Sequence, residues 1–176
     1  MAGRSGHTGS DHCSKSQCHR KGKANRGGAT LFANEQSFFL NLSPNYKSTN
    51  GSSWQNILSP APAPGPYDIS FTGNVGLVGF AQGYVGYTTN RGYNYNFLPN
   101  KIPSNFDAMA VKAININKFL VADRKSQIFL STDQGVTWSQ KTTNIINNIP
   151  RKFCVSNDQN TIVLAGIGVT YVSFDA

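Results

Sequence analysis

Apolar side chains in this chain come in short runs, and a polar turn residue stands before each. Residues 75–80, 118–122 and 161–165 are such runs, each following an Asn or Asp at Asn74, Asn117 or Asp158. Leu31, Phe32 and residues 38–42 follow the same scheme around Asn34. The runs are rich in Val, Ile, Phe, Tyr and Thr, whose branched and aromatic side chains suit a pleated surface. No segment sustains a period of 3.6, so little or no helix is expected. The pattern predicts an all-β chain.

The segments between the runs repeat as well. Ser131-Thr132-Asp133-Gln134-Gly135-Val136-Thr137-Trp138 has a counterpart in Thr88-Thr89-Asn90-Arg91-Gly92-Tyr93-Asn94-Tyr95, with Asn for Asp and Tyr for Trp. A weaker copy, Ser48-Thr49-Asn50-Gly51-Ser52-Ser53-Trp54, lacks the acid. Gly92 and Gly135 lie 43 residues apart, Trp54 precedes Tyr95 by 41, and Tyr95 precedes Trp138 by 43. Ser173-Phe174-Asp175-Ala176 begins 42 residues after Ser131. Within the turn, Asp133 can accept backbone N–H bonds, Gly135 can supply a positive φ, and Thr137 can bond back across the loop. Trp138 offers a large apolar face to the hairpin. If it were fully buried, truncating it to Ala would cost about 3–5 kcal/mol. Structural rather than ligand-binding roles are therefore expected for Asp133, Gly135, Thr137 and Trp138, for Asn90, Gly92 and Tyr95, and for Gly51 with Trp54.

The pattern Ser-x-Asp-x-Gly-x-Thr-Trp resembles the Asp-box, a turn repeated in sialidases, xyloglucanases, sortilin-type receptors and photosystem II assembly factors. The resemblance covers about residues 30–176. Each unit reads as strand, polar turn, strand, loop, strand, box turn, strand. A period near 42 residues with four short strands per unit is that of a β-propeller blade. A β-sandwich could use the same strands but leaves the period unexplained. The expectation is thus β-propeller-type repeats in one domain, 31–176, with units at about 31–55, 67–97 and 108–140 and an incomplete one at 150–176. Blades left open expose strand edges, which invite pairing with another chain. A symmetry mate, a partner protein or a C-terminal continuation is expected to complete them. Pro60-Ala61-Pro62-Ala63-Pro64-Gly65-Pro66 reads as a stiff connector between the first two units.

Residues 1–30 differ in composition. Arg4, Lys15, Arg20, Lys21, Lys23 and Arg26 face the single acid Asp11 among Gly and Ser, so this segment carries +5 of the total +8. Such a composition cannot bury enough surface to fold alone, and it reads as an extended basic arm. It has no apolar core of a secretory signal, and no stretch of the chain is long and apolar enough to span a membrane. Arg20, Lys21, Lys23 and Arg26 are the candidate contacts to an acidic protein surface or, by neutralising phosphates, to nucleic acid without sequence preference. His12, Cys13, Cys18 and His19 are the residues that would form a zinc site. A local disulfide or free thiols fit the same string, and free thiols are the preferred reading, with no cofactor expected. Cys154, in an apolar strand, reads as core.

Two functional classes remain. A glycoside hydrolase needs two suitably spaced carboxylates, and the acids outside the arm are Glu35, Asp68, Asp107, Asp123, Asp133, Asp158 and Asp175. Asp133 and Asp175 fall at box positions and Asp158 in a turn, which leaves Asp107 and Asp123 without visible acid/base logic. Sialidases of the resembled group clamp a carboxylate with arginines and carry Arg-Ile-Pro; this chain has Lys101-Ile102-Pro103, and lysine lacks the planar bidentate fork. The preferred reading is a non-catalytic structural or binding subunit of a larger assembly, a virion or capsid component among the candidates. The alternative is a fragment of an Asp-box glycoside hydrolase.

Overall fold

The structure, a computed structural model, describes residues 30–34, 37–41, 45–50, 52–57, 66–141 and 148–173. Among the described residues fifteen strands form four antiparallel sheets, each a meander in which sequence neighbours pair. The first sheet holds β1 (Thr30–Asn34), β2 (Ser37–Asn41), β3 (Asn45–Ser48) and β4 (Gln55–Ile57). The second holds β5 (Asp68–Thr72), β6 (Val75–Gly79), β7 (Val85–Thr88) and β8 (Asn96–Phe97). The third holds β9 (Ala108–Ala113), β10 (Phe119–Asp123), β11 (Ile128–Ser131) and β12 (Ser139–Lys141). The fourth holds β13 (Pro150–Val155), β14 (Ile162–Gly166) and β15 (Thr170–Ser173). The only helical geometry among the described residues is one 3₁₀ turn at Ala81–Gly83, broken by Gln82 at a φ of 57°.

The sheets stack face to face. Leu77 and Val85 of the second sheet pack with Val111, Phe119, Val121 and Phe129 of the third. Ala110, Leu120 and Ala122 on the other face of the third sheet pack with Phe153, Val155 and Leu164 of the fourth. Ile69, Val78, Phe80 and Tyr95 form a further cluster on the opposite face of the second sheet. The second strands β6 and β10 are therefore covered on both faces and buried at every residue. That explains why they read as unbroken apolar runs rather than as alternating strands. Space there is tight: a Cβ added at Gly79 would lie 2.3 Å from the backbone oxygen of Ala108.

Register makes the units equivalent. Val78 pairs with Ile69, Val121 with Val111, and Leu164 with Phe153. The first strands of the units, β5, β9 and β13, lie side by side. Asp68, Ala110 and Lys152 thus occupy one row across them, and Ser70, Lys112 and Cys154 the next. Asp68 is buried on β5, where its Oδ2 accepts the Val111 N–H of β9 at 2.9 Å and its Oδ1 accepts Lys152 Nζ of β13 at 2.7 Å. Lys152 also donates to the Ile69 carbonyl at 2.8 Å. Ser70 Oγ accepts the Ala113 N–H at 3.3 Å. Two side chains of β5 thereby satisfy the free edge of β9, while the small Ala110 occupies the row between Asp68 and Lys152.

One expectation is overturned. Cys154 is exposed rather than buried. Side chains alternate along a strand; Phe153 and Val155 of β13 turn into the core shared with the third sheet, so Cys154 faces the other way.

Replacing Lys152 by Met should leave the Asp68 carboxylate with too few partners for its burial. An uncompensated buried charge of this kind costs about 3–5 kcal/mol, and urea denaturation at pH 7 measures it. Burial already pushes the Asp68 carboxyl up, and the Lys152 charge and the Val111 N–H recover only part of that shift. A carboxyl raised by folding stabilises the native state below its folded pKa and loses that contribution as pH rises through it. The deficit of Lys152→Met should therefore grow between pH 4 and neutrality; a pH-independent deficit would contradict this account.

Candidate functional site

The sheets present two different ends. At one end lie the tight turns between β3 and β4, β7 and β8, and β11 and β12, built from the same bonds. Ser131 Oγ donates to Asp133 Oδ1 at 2.8 Å and accepts the Gly135 N–H at 2.7 Å. Asp133 accepts the Thr137 N–H at 2.9 Å and the Thr137 hydroxyl at 2.5 Å. In the preceding unit Thr88 Oγ1 donates to Asn90 Oδ1 at 2.9 Å and accepts the Gly92 N–H at 3.1 Å, and Asn90 accepts the Asn94 N–H at 3.1 Å. In the first unit Asn50 Oδ1 accepts the Ser48 hydroxyl at 3.1 Å and the Ser52 and Ser53 N–H groups at 2.9 Å each. An amide oxygen can accept the bonds common to the three turns, which is why Asn replaces Asp, while the second oxygen of Asp133 adds the bond from the Thr137 hydroxyl.

Gly92 and Gly135 take φ values of 78° and 83°, and the residues before them, Arg91 and Gln134, are also positive at 60° and 62°. Two successive left-handed residues form the tight reversal that matches strand twist. Arg91 donates from its backbone N to the Asn74 carbonyl and from Nε to Asn74 Oδ1. Gln134 bonds Asn117 in the same two ways. The turn signals Asn74 and Asn117 are thus also anchors for the neighbouring turn. Sequence reasoning passed over the hydroxyls at the head of each turn. Ser48, Thr88 and Ser131 are all buried, and their recurrence as Ser or Thr was the available signal.

Trp138 is half-buried against the core between the second and third sheets, and its Nε1 donates to the Asn100 carbonyl at 3.3 Å. Tyr95 is buried among Ile69, Val78 and Phe80. Its hydroxyl has no hydrogen-bond partner among the described residues, and burial pushes its pKa up. Trp54 is half-buried. Lys47 spans two units, its Nζ donating to the Arg91 carbonyl at 2.8 Å and lying 3.5 Å from the centre of the Tyr93 ring. Gly51 and the arm residues His12, Cys13, Cys18, His19, Arg20, Lys21, Lys23 and Arg26 lie outside the described residues, as does the connector at 60–65. Among the described residues no three His, Cys, Asp or Glu side chains gather as a metal site, and no helix is long and apolar enough to cross a membrane.

The other end is made of longer loops knitted into one layer. Residues 98–108 bond back to 80–83 through Ile102 N–H to Gly83 O at 3.1 Å and Ala108 N–H to Phe80 O at 2.8 Å. Asp107 accepts the Gln82 N–H at 3.2 Å and pairs with Arg124 at 3.4 Å. Asp123 is fully buried and accepts the Ser104 hydroxyl at 2.7 Å and the Lys125 and Gln127 N–H groups at 2.8 and 2.9 Å. The two acids without an evident role in the sequence are therefore the knots of this layer. Tyr67, Tyr84 and Phe106 emerge from it at 38%, 41% and 43% exposure. Lys101 stands over the Tyr84 ring at 6.0 Å and Lys125 over the Phe106 ring at 5.5 Å, a cation–aromatic surface.

No protein-family model matches the sequence, and no curated protein matches it either. Solved structures do. An ancestral GH74 enzyme superposes with a TM-score of 0.66 at 19% identity, over 85% of this chain and 23% of the enzyme. YCF48 bound to a D1 peptide superposes with a TM-score of 0.61 at 15% identity, over 84% of this chain and 53% of its own length. BamB from Moraxella catarrhalis does so at 0.55 and 12% identity, over 85% of this chain and 44% of its own. These neighbours are β-propeller proteins. The chain has a β-propeller-type repeat fold. It spans about a quarter of the first neighbour's length and half of the second's, and at such identities the likeness establishes the propeller fold alone.

Two predictions test the turns. The bonds from the Thr137 hydroxyl, the Thr137 N–H and the Ser131 hydroxyl hold the Asp133 carboxyl at about 2. A carboxyl depressed by folding stabilises the native state above its unfolded pKa, and that contribution fades as pH falls towards the folded value. Asp133→Asn, which lacks the charge and the second acceptor oxygen that the Thr137 hydroxyl uses, should melt below wild type at neutral pH, and the gap should narrow between pH 4 and 2 as wild type is protonated; parallel acid profiles would refute the assignment. Trp138→Ala should cost about 2 kcal/mol, less than for a fully buried aromatic because the ring is half-exposed. Chemical denaturation against wild type gives the value directly.

Proposed function

We propose that this propeller is a binding scaffold that holds an acidic protein partner on its loop end, as a subunit of a larger assembly. The observation that carries the reading is the set Tyr84, Phe106, Lys101, Arg124 and Lys125 on one connected loop layer. Aromatic rings and arginine, exposed yet pre-positioned by backbone bonds, are among the groups that contribute most at protein interfaces, and the lysines add charge that steers an acidic partner. At this end Asp107 is already paired with Arg124 and Asp123 is buried, so cations dominate what a partner meets. YCF48, a structural neighbour, has been solved with a peptide bound.

In this reading the recurring turns are Asp-boxes serving the fold. Residues 1–30 are a second, basic attachment through Arg20, Lys21, Lys23 and Arg26, and 31–176 is the docking body. A virion component is one setting that suits such a division. The glycoside hydrolase reading draws on the GH74 neighbours, which include a xyloglucanase from Xanthomonas campestris. Against it, Asp68, Asp107, Asp123, Asp133 and Asp158 each have partners that occupy them structurally.

Photocrosslinking amino acids placed at positions 84 and 106 of the full chain, in its native host, should yield protein adducts that the same probe at positions 116 and 158 does not. Equal adducts from both ends, or none from 84 and 106, would defeat the docking surface. Xyloglucan hydrolysis by the full chain, abolished by Asp107→Asn or Asp123→Asn, would establish the enzyme reading instead.

A further inference from the structure

We infer that the outer face of the fourth sheet binds the first sheet of a second copy of this chain, so that two copies complete one ring. Strand register defines the face. Cys154 pairs with Val163 and Val163 with Val172, so the three stand in one row across β13, β14 and β15. The same row in the second sheet is Ser70, Leu77 and Tyr87, and in the third it is Lys112, Leu120 and Leu130. In those two sheets the following unit covers the row. Leu77 and Tyr87 pack against Val111 and Phe119, with the Tyr87 and Phe119 rings 5.7 Å apart. Leu120 and Leu130 pack against Phe153, Val155 and Leu164. In the fourth sheet Val163 is only half-buried, Cys154 is exposed and Val172 is 50% exposed.

The occupant follows from the contacts between units. What the following unit brings to the row is a strand pair at fixed register: Val111 with Val121 on the second sheet, Phe153 with Leu164 on the third. In the first sheet that register position is held by Leu31 and Leu40. Leu40 pairs with Tyr46, two residues before Ser48, as Val78 pairs with Gly86, two residues before Thr88. The position is apolar there as in the other three units. The first sheet of the same copy does not reach the fourth, because the first strands adjoin in the order β1, β5, β9, β13 and Val172 stays exposed with all four sheets in place. The contact thus continues a series made twice already within the chain. Two such head-to-tail contacts close on themselves through a two-fold axis, and four sheets from each copy fall within the range of blades that propellers use. The row lies in mid-strand, apart from the loop end, so this inference and the docking surface there stand or fall separately.

Sedimentation velocity of the full chain across micromolar concentrations should show a species of twice the single-chain mass. Val172→Lys should weaken pairing about tenfold or more, because its charge loses water only in the pair, while keeping the far-UV circular dichroism of wild type. Val136→Lys, at an equally exposed valine on the turn end, should pair as wild type does. In a mixture of isotopically light and heavy chains carrying a photocrosslinking residue at position 172, mixed adducts should map to the first sheet, residues 30–57. A monomer at every concentration, equal pairing by the two variants, or mixed adducts that map elsewhere, such as fourth sheet to fourth sheet, would overturn the inference. The mass of the unaltered chain and the position of its adducts stand whether or not a variant folds.

Discussion

A single buried carboxylate connects three consecutive sheets of this protein. Apolar stacking between sheets supplies most of the cohesion, but it is non-directional and sets no angle between neighbours. Asp68 supplies direction. It stands on β5, takes an N–H from β9 and an ammonium from β13, and so relates the second, third and fourth units to each other. Its burial is expensive, and only saturation with a backbone donor and a paired cation makes the position tenable. The repeat is therefore broken on purpose along this row. A strictly repeated residue would put three like side chains side by side, whereas Asp68, Ala110 and Lys152 make a bridge with a gap for it to cross.

The same geometry divides labour between the two ends of the sheets. At the turn end the hairpins after β7 and β11 are closed by local bonds: a hydroxyl, an Asx oxygen and a glycine within a few residues of one another. Such a turn can be copied from unit to unit because its closing bonds are local, and contacts to the neighbouring unit, such as Lys47 to the Arg91 carbonyl and Trp138 to the Asn100 carbonyl, are added to it. At the loop end the bonds run between units, from 98–107 to 80–83 and 123–127, so the surface there is made jointly. The locally closed end preserves the fold, while the jointly built end carries the exposed aromatics and cations. A propeller fold hosts hydrolases and binding proteins alike, so function has to be argued from that surface rather than from the architecture.

Much of this was legible in the chain and some of it misleading. The 43-residue spacing of Gly92 and Gly135, with the apolar runs between, led to the repeated antiparallel sheets. Asn90 could be matched to Asp133 because the bonds common to both turns go to one oxygen that both side chains possess. Cys154 was misjudged because its two apolar neighbours concealed the alternation of the strand. The degree of Trp138 burial was open, because it depends on the Asn100 loop rather than on its own hairpin.

Interactions within about ten residues, namely turn chemistry, strand propensity and period, were determined by the sequence itself, since their partners are fixed by covalent distance. Which acids are structural was decided only by the tertiary structure. Asp68 meets Lys152 across 84 positions and Asp123 meets Ser104 across 19, and no local pattern marks either pair.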